Sequence, residues 1–423
     1  MGTVRRAPHL IAEPGLIAEP GQSRVLTAVI AATTAGVLPV FLFGAMSVQI
    51  AADLDLSAAA KGQIVFGFFA VSALTSAWWG RLTERFGPTP LLRVAAMFAI
   101  VSSLGMAIAQ SFLWILPAIG IGGLANACAQ PAANSLIVRH IDRRRRGFAL
   151  GVKQSAIPTA TLLGGLAVPL VALTVGWRWA FVGGAGVGAF AMACVPRSPF
   201  VRPPATHRRS SFSHSGFRTL VVLSVGAGLG SAMANSLGAF TTSTAVHAGI
   251  SANRAGVLLA VGSALGLTLR LLSGWAADRR GGGHLHWVAG MLAGGGLGVI
   301  LLAVGQPVAA IIGTLVAFGS GWSWPGVFNL AVVTMYPLAP AAATGVTQTG
   351  TYAGGALGPL VMGALVDSVG YGPAWLVFAV ISFAAAGVFL LGARSVRLHE
   401  PWTGPPTPHR RDGPHSLDRV ADP

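Results

Sequence analysis

Charge is what this sequence has least of. Only 9% of its 423 residues are Asp, Glu, Lys or Arg, while 53% are hydrophobic, against roughly 25% charged in an ordinary soluble domain. A soluble fold of this size could not cover its surface with so few charges. Acids are the scarcest, with 12 against 28 basic residues. The two cysteines, Cys128 and Cys194, both fall in apolar segments, which excludes a disulfide framework and a cysteine-based zinc site. No His-Glu metal cluster or Ser/His/Asp set lies within the apolar stretches, which argues against an intramembrane enzyme. Near the start the hexapeptide L-I-A-E-P-G occurs at Leu10–Gly15 and again at Leu16–Gly21, and with Glu and Pro in each copy it is not expected to be the apolar core of a signal peptide. Residues 1–24 are expected to form a disordered cytoplasmic tail.

What is present is long uncharged sequence. Val25–Ala52, Val94–Val138, Thr219–Asn253 and Gly281–Val366 contain no Asp, Glu, Lys or Arg. About 20 apolar residues cross a bilayer as a helix, so the chain is expected to be an all-α polytopic membrane protein. Gly, Pro and charge clusters divide it into twelve spans, near 25–50, 61–81, 90–109, 112–138, 147–172, 178–196, 218–242, 254–275, 287–304, 308–336, 344–368 and 374–393. The 57 glycines follow no three-residue period, excluding collagen, and suit close helix packing in lipid. Of the 28 Lys and Arg, 23 fall in the tails and the loops after even-numbered spans; only Lys61, Arg178 and Arg254 fall in loops on the other face. Cytoplasmic loops carry the basic excess, so both termini are expected in the cytoplasm, with the protein in the plasma (inner) membrane. The same scatter argues against nucleic acid as a partner, which would need one basic patch.

An internal repeat organises the rest. A shift of 194 residues aligns Gly36 with Gly230, Gly44 with Gly238, Gly62 with Gly256, Gly80 with Gly274, Arg85 with Arg279 and Gly87 with Gly281. At the same offset Pro131 meets Pro325; Gly151, Val152 and Gln154 meet Gly345, Val346 and Gln348; Gly164 meets Gly358; and Gly176 meets Gly370. One offset held over this length implies duplication. The expected organisation is two pseudo-symmetric six-helix bundles, residues 25–196 and 218–393. A cytoplasmic linker, 197–217, joins them, and a cytoplasmic tail, 394–423, follows.

The strongest local motif follows the second span, Gly80-Arg81-Leu82-Thr83-Glu84-Arg85-Phe86-Gly87. Its copy after the eighth is Gly274-Trp275-Ala276-Ala277-Asp278-Arg279-Arg280-Gly281. In each, the first glycine is expected to let two helices touch and the last to make a tight turn. This resembles the G-x-L-x-D-R-x-G signature of the major facilitator superfamily, with Glu84 in place of the usual Asp. The resemblance implies a transporter whose halves rock about a central site. It also implies that Glu84 and Asp278 gate the cytoplasmic face by meeting the helix starts near Thr344 and Gly147, where the macrodipole favours a carboxylate; solvated turns are the plainer reading. Gly176-Trp177-Arg178-Trp179-Ala180-Phe181 is similar to the G-W-R-W-x-F opening of the sixth span in bacterial members and is taken as a membrane-boundary anchor.

Polar groups within the spans are candidates for the solute site, because they are expensive facing lipid. They are Asn126, Gln130 and Asn134 on the fourth span, Lys153 and Gln154 on the fifth, Asn235 on the seventh, Arg270 on the eighth, Asn329 on the tenth, and Gln348 and Tyr352 on the eleventh. For each Asn or Gln, an interhelical hydrogen bond competes with solute contact. Lys153 and Arg270 carry the charge: either they snorkel to the headgroups or they face a cavity as cations without a mid-membrane acid, a site for an anion. Arg270, eight residues before Asp278, is placed similarly to the substrate arginine of the superfamily's nitrate and nitrite porters, although Ser76 stands at the equivalent first-half position. The fourth-span arginine and fifth-span Gly-Pro of the superfamily's drug/proton antiporters are absent, and the eleventh-span acid, Asp367, lies near its helix end.

The resulting expectation is a monomeric secondary transporter that moves a small organic anion by alternating access. The alternative is a drug exporter coupled to a proton. No cofactor or metal is implied, and the partners are the solute, a coupling proton and the bilayer. A cysteine placed within Arg143–Arg146 should resist an impermeant thiol reagent applied to intact cells; labelling from outside contradicts the topology.

Overall fold

The computed structural model describes residues 21–141, 146–196, 214–279, 282–336 and 340–399. Its first half contains α1 (Gln22–Ala45), α2 (Ser47–Leu54), α3 (Ala58–Phe86), α4 (Pro88–Ala107), α5 (Phe112–His140), α6 (Arg146–Gln154), α7 (Ala156–Ala167) and α8 (Trp177–Cys194). The second contains α9 (His214–His247), α10 (Ala252–Arg279), α11 (His284–Ala303), α12 (Pro307–Val316), α13 (Trp324–Met335), α14 (Pro340–Val369) and α15 (Tyr371–His399). Eleven segments among the described residues are long and apolar enough to cross a membrane. The twelfth crossing, α8, spans 18 residues and opens with Trp177, Arg178 and Trp179, which lowers its hydropathy; it packs against α1 and α4 in the same bundle. Many outward-facing side chains are apolar, among them Leu74, Leu170 and Val380, as a lipid-facing surface requires.

The 194-residue offset reappears in the helix boundaries. It carries the first residue of α3, Ala58, onto that of α10, Ala252, and the first residue of α8, Trp177, onto that of α15, Tyr371. Gly176 and Gly370, which precede the last pair, have φ of 102° and 83°, a region that disfavours side chains with a Cβ. The aligned glycines thus make the same turn twice.

Three spans expected to be continuous are not. The first ends at Ala45 and resumes after Met46 as the short α2. The fifth breaks between α6 and α7 and ends in a π turn, Val168–Ala172. The tenth passes from α12 through a π turn, Ala317–Gly321, to α13. The fifth break has a direct cause. Pro158, three residues into α7, lacks the N–H that would bond the carbonyl four residues back, and that carbonyl belongs to Gln154.

The halves meet mainly toward the face opposite the helix ends at Gln22 and His399. There α3 runs against α14, α7 against α10 and α1 against α9. Backbones touch at these seams: a Cβ added to Gly165 would lie 2.6 Å from the Ala260 nitrogen, and one on Gly44 would lie 3.0 Å from the Gly238 oxygen. By contrast, Gly80 and Gly274 have nothing within 4 Å of an added Cβ, so the close helix contact expected at these two motif glycines is absent in this conformation.

On that far face the Trp-Arg-Trp segment makes a defined contact. Arg178 Nη1 lies 2.6 Å from Asp53 Oδ2 and Nη2 donates to the Ala109 carbonyl at 3.1 Å, while Trp177 Nε1 donates to Asp53 at 3.2 Å. The pair therefore ties α2 and the end of α4 to the start of α8. The Arg178 hydrogen bond, aided by Trp177, holds the Asp53 carboxyl below its ordinary range. Because the folded-state value is depressed, its contribution is present at neutral pH and is lost as pH falls below about 3.9, the ordinary Asp value. Both side chains are about two-fifths exposed, which keeps the contribution under about 1 kcal/mol. Asp53→Asn should lower the melting temperature slightly at pH 7 and by less at pH 3, as the contribution fades through the depressed folded-state value; an equal loss at both values contradicts the ion-pair account.

Candidate functional site

Helix breaks in a membrane leave carbonyls without partners, and each unpaired backbone group away from water costs several kcal/mol. Two such carbonyls face one cation. Arg270, on α10 of the second half and 5% exposed, donates from Nη1 to the Gln154 carbonyl at 2.9 Å. From Nη2 it donates to the carbonyl of Trp322, in the two-residue gap between the π turn and α13. The guanidinium thus joins the broken fifth span of one half to the broken tenth span of the other. Its Nε is buried with no hydrogen-bond partner among the described residues. The Trp322 ring packs edge-on against Phe41 of the first half, at 6.1 Å between centroids, and against Phe318 at 4.5 Å.

Lys153, the residue before Gln154, is 6% exposed and donates from Nζ to Asn134 Oδ1 at 2.8 Å. Neither cation faces lipid, so the snorkelling alternative is set aside for both. Among the described residues neither has a carboxylate partner. Both buried cations are thus bonded to neutral oxygens among the described residues, Arg270 at the α6–α7 junction and Lys153 to Asn134 on α5.

The other predicted positions form separate local groups. Asn126 Nδ2 donates to Ser72 Oγ at 3.2 Å, and Gln130 Nε2 donates to Asn126 Oδ1 at 3.3 Å; Ser72 in turn donates to the carbonyls of Phe68 and Gly123. These residues seal the α3–α5 seam within one half. Asn235 donates to the backbone and hydroxyl of Ser231 one turn back. Tyr352 is buried on α14, one turn beyond Gln348 on the same face. Asn329 is half-buried on α13, with no hydrogen bond among the described residues. Of the ten predicted residues, Arg270 and Gln154 are the pair brought together across the halves, and Gln154 takes part through its carbonyl.

Among the motif residues, Gly87 has φ of 91° and donates its N–H to the Thr83 carbonyl at 2.9 Å, which makes the tight turn expected of it. Arg85 sits over the Phe86 ring and Arg279 over Trp275. Glu84 is exposed at the end of α3 and makes no hydrogen bond or ion pair to α14 among the described residues. Gly281 and the Asp278 side chain lie outside the described residues. Trp322 was missed as a site residue, although the run Gly319-Ser320-Gly321-Trp322-Ser323-Trp324-Pro325 carried a signal, because Gly- and Pro-interrupted spans mark central sites in transporters.

The comparisons agree with this architecture. The profile of the Major Facilitator Superfamily matches residues 25–355. An MFS-type efflux pump of Mycolicibacterium smegmatis is 34% identical over 148 residues, 34% of this chain and 33% of that protein. The multidrug resistance protein MdtG of Dickeya zeae is 39% identical over 124 residues, 28% of this chain and 29% of that protein. The matches therefore span about a third of these relatives' length. A crystal structure of a bacterial homologue of the human lysosomal transporter Spinster, inward-facing and occupied, superposes with a TM-score of 0.70 at 17% identity, covering 89% of this chain and 98% of that one.

If Arg270 satisfies a carbonyl that Pro158 frees, the two residues should be thermodynamically coupled. Arg270→Met should lower the melting temperature in detergent. In a Pro158→Ala background the loss should shrink by roughly 1 kcal/mol, because the new N–H can bond the Gln154 carbonyl. An identical loss in both backgrounds contradicts this geometry.

Proposed function

The chain belongs to the Major Facilitator Superfamily and is a secondary transporter of small solutes, and from that premise we propose that it exports a small organic anion. The observation that carries the anion is two buried cations, Arg270 at the α6–α7 junction and Lys153 on α6, that lack a carboxylate partner among the described residues. A guanidinium within a membrane is costly and gains most from a charged, two-pronged acceptor. Backbone carbonyls supply only dipoles. An incoming carboxylate would bond the Arg270 Nε, which has no partner among the described residues, and take its second prong by displacing a carbonyl from an Nη. It would do so beside the Phe41–Trp322 aromatic pair, which suits a solute with an apolar body. The export direction rests on the efflux and multidrug-resistance names of the partial relatives. Both termini and the basic loops are placed in the cytoplasm of a plasma membrane on the positive-residue bias.

A second reading is a proton-coupled exporter of neutral or cationic drugs. It is favoured by the two carbonyls that already occupy Arg270, since a guanidinium so held can serve purely to join the halves. Glu84 and Asp278 fit either reading as acids that close the cytoplasmic face when the halves rock the other way.

Arg270→Lys separates the two readings. Lysine keeps the charge but lacks the planar fork, so export of a carboxylate panel should fall about tenfold or more while the protein stays folded and cationic dyes are unaffected. Parental carboxylate export by the variant, or movement of lipophilic cations alone, overturns the anion reading.

A further inference from the structure

At the far face, opposite the ends at Gln22 and His399, α3 and α14 approach closely enough that their backbones touch. A Cβ on Gly62 would collide with the Pro359 carbonyl, and one on Gly363 with the carbonyl of Ala58. Four residues beyond Gly363, one turn along α14, stands Asp367. Its Oδ1 accepts from the Ala58 N–H at 2.9 Å and its Oδ2 from the Ala59 N–H at 2.7 Å. These are the first two residues of α3, whose N–H groups have no acceptor within the helix. The third, Ala60, donates to the hydroxyl of the N-cap Ser57 at 3.1 Å. The start of α3 is thus capped twice: by its own serine and by a carboxylate from the other half of the molecule.

We infer that Asp367 is a positioning residue for transport, a latch that holds the far face shut by capping α3 across the seam between the halves. A carboxylate at a helix N-terminus gains from two charge-assisted hydrogen bonds and from the macrodipole. The gain exists only while α14 stays against α3; when the halves part there, Ala58 and Ala59 lose their acceptors. The groups around Asp367 are consistent with a closed seam. Lys61, buried on the next turn of α3, and Tyr371, at the start of α15, lie within its electrostatic reach. The Tyr371 ring lies 4.8 Å from that of His247 on α9, the helix that also carries Ser243. Ser243 in turn meets Ser47 of the first half at 2.9 Å. The same helix pair carries Glu84 at the other end of α3, exposed and unpaired with α14 among the described residues. An acid therefore stands at each end of the α3–α14 pair, and in this conformation the one at the far face is engaged.

The test reads the separation of the halves at the far face and is independent of the cargo. In a Cys128→Ser, Cys194→Ala background, spin labels at Thr174→Cys and Gln306→Cys, both exposed far-face loop positions, report the distance by pulsed electron resonance. Asp367→Ala should raise the ratio of long- to short-distance populations about three- to tenfold, the scale of a lost charged cap. Asp367→Asn, which keeps one acceptor, should give a smaller rise, and Asp367→Glu should leave the closed form dominant. Ser57→Ala removes a cap within one half, so it should lower the melting temperature without moving the distances. An unchanged distribution in folded, monodisperse Asp367→Ala overturns the latch; should that variant not fold, an unchanged distribution in Asp367→Asn does so.

Discussion

A freed backbone carbonyl inside a membrane must find a donor, and this fold depends on where two of them find it. Pro158 removes the N–H that Gln154 would use, and the gap at Trp322–Ser323 exposes a second carbonyl in the other half. Arg270 answers both. Breaks and cation would each be unfavourable alone in a low-dielectric interior. Together they form a junction between the halves. The same geometry leaves one donor, Nε, without a partner among the described residues, the feature on which the proposed anion site rests.

Away from that junction the polar residues mostly serve packing. The Ser72–Asn126–Gln130 chain stays within the first half and the Asn235–Ser231 bonds within the second. Small residues do the rest, letting α7 meet α10 and α3 meet α14 at backbone distance. The far face is held by van der Waals contact, the Asp367 cap and the Ser47–Ser243 bond. Transport requires such contacts to be broken and remade, so each has to be weak enough for the two states to remain within a few kcal/mol of one another. A few hydrogen bonds at helix ends suit that requirement better than a large buried ion-pair network.

Much of this was legible before any coordinates. Hydropathy gave the spans, and the 194-residue offset gave the duplicated bundles, because glycines at turns such as Gly176 and Gly370 are fixed by backbone geometry and survive in register. Arg270 and Lys153 stood out as charges in apolar runs. What escaped was carried by contacts that hydropathy does not encode. The Asp367–Ala58 bond joins residues 309 apart, and only the folded seam reveals that an acid at one helix end faces the start of another. The breaks at Gln154 and Trp322 were signalled by Pro158 and by the Gly-Ser-Gly-Trp run. They were hidden because hydropathy counts side chains and ignores which backbone groups are left unbonded. Gly80 and Gly274 went the other way, since a motif glycine expected to sit in a tight contact lies open here.

The most direct measurement is an electron cryo-microscopy map of the purified transporter saturated with a carboxylate that a transport assay identifies as its cargo. The account predicts solute density within hydrogen-bond distance of the Arg270 guanidinium, beside Trp322 and Phe41. A map that places the solute elsewhere, with Arg270 still bonded only to the carbonyls of Gln154 and Trp322, contradicts it.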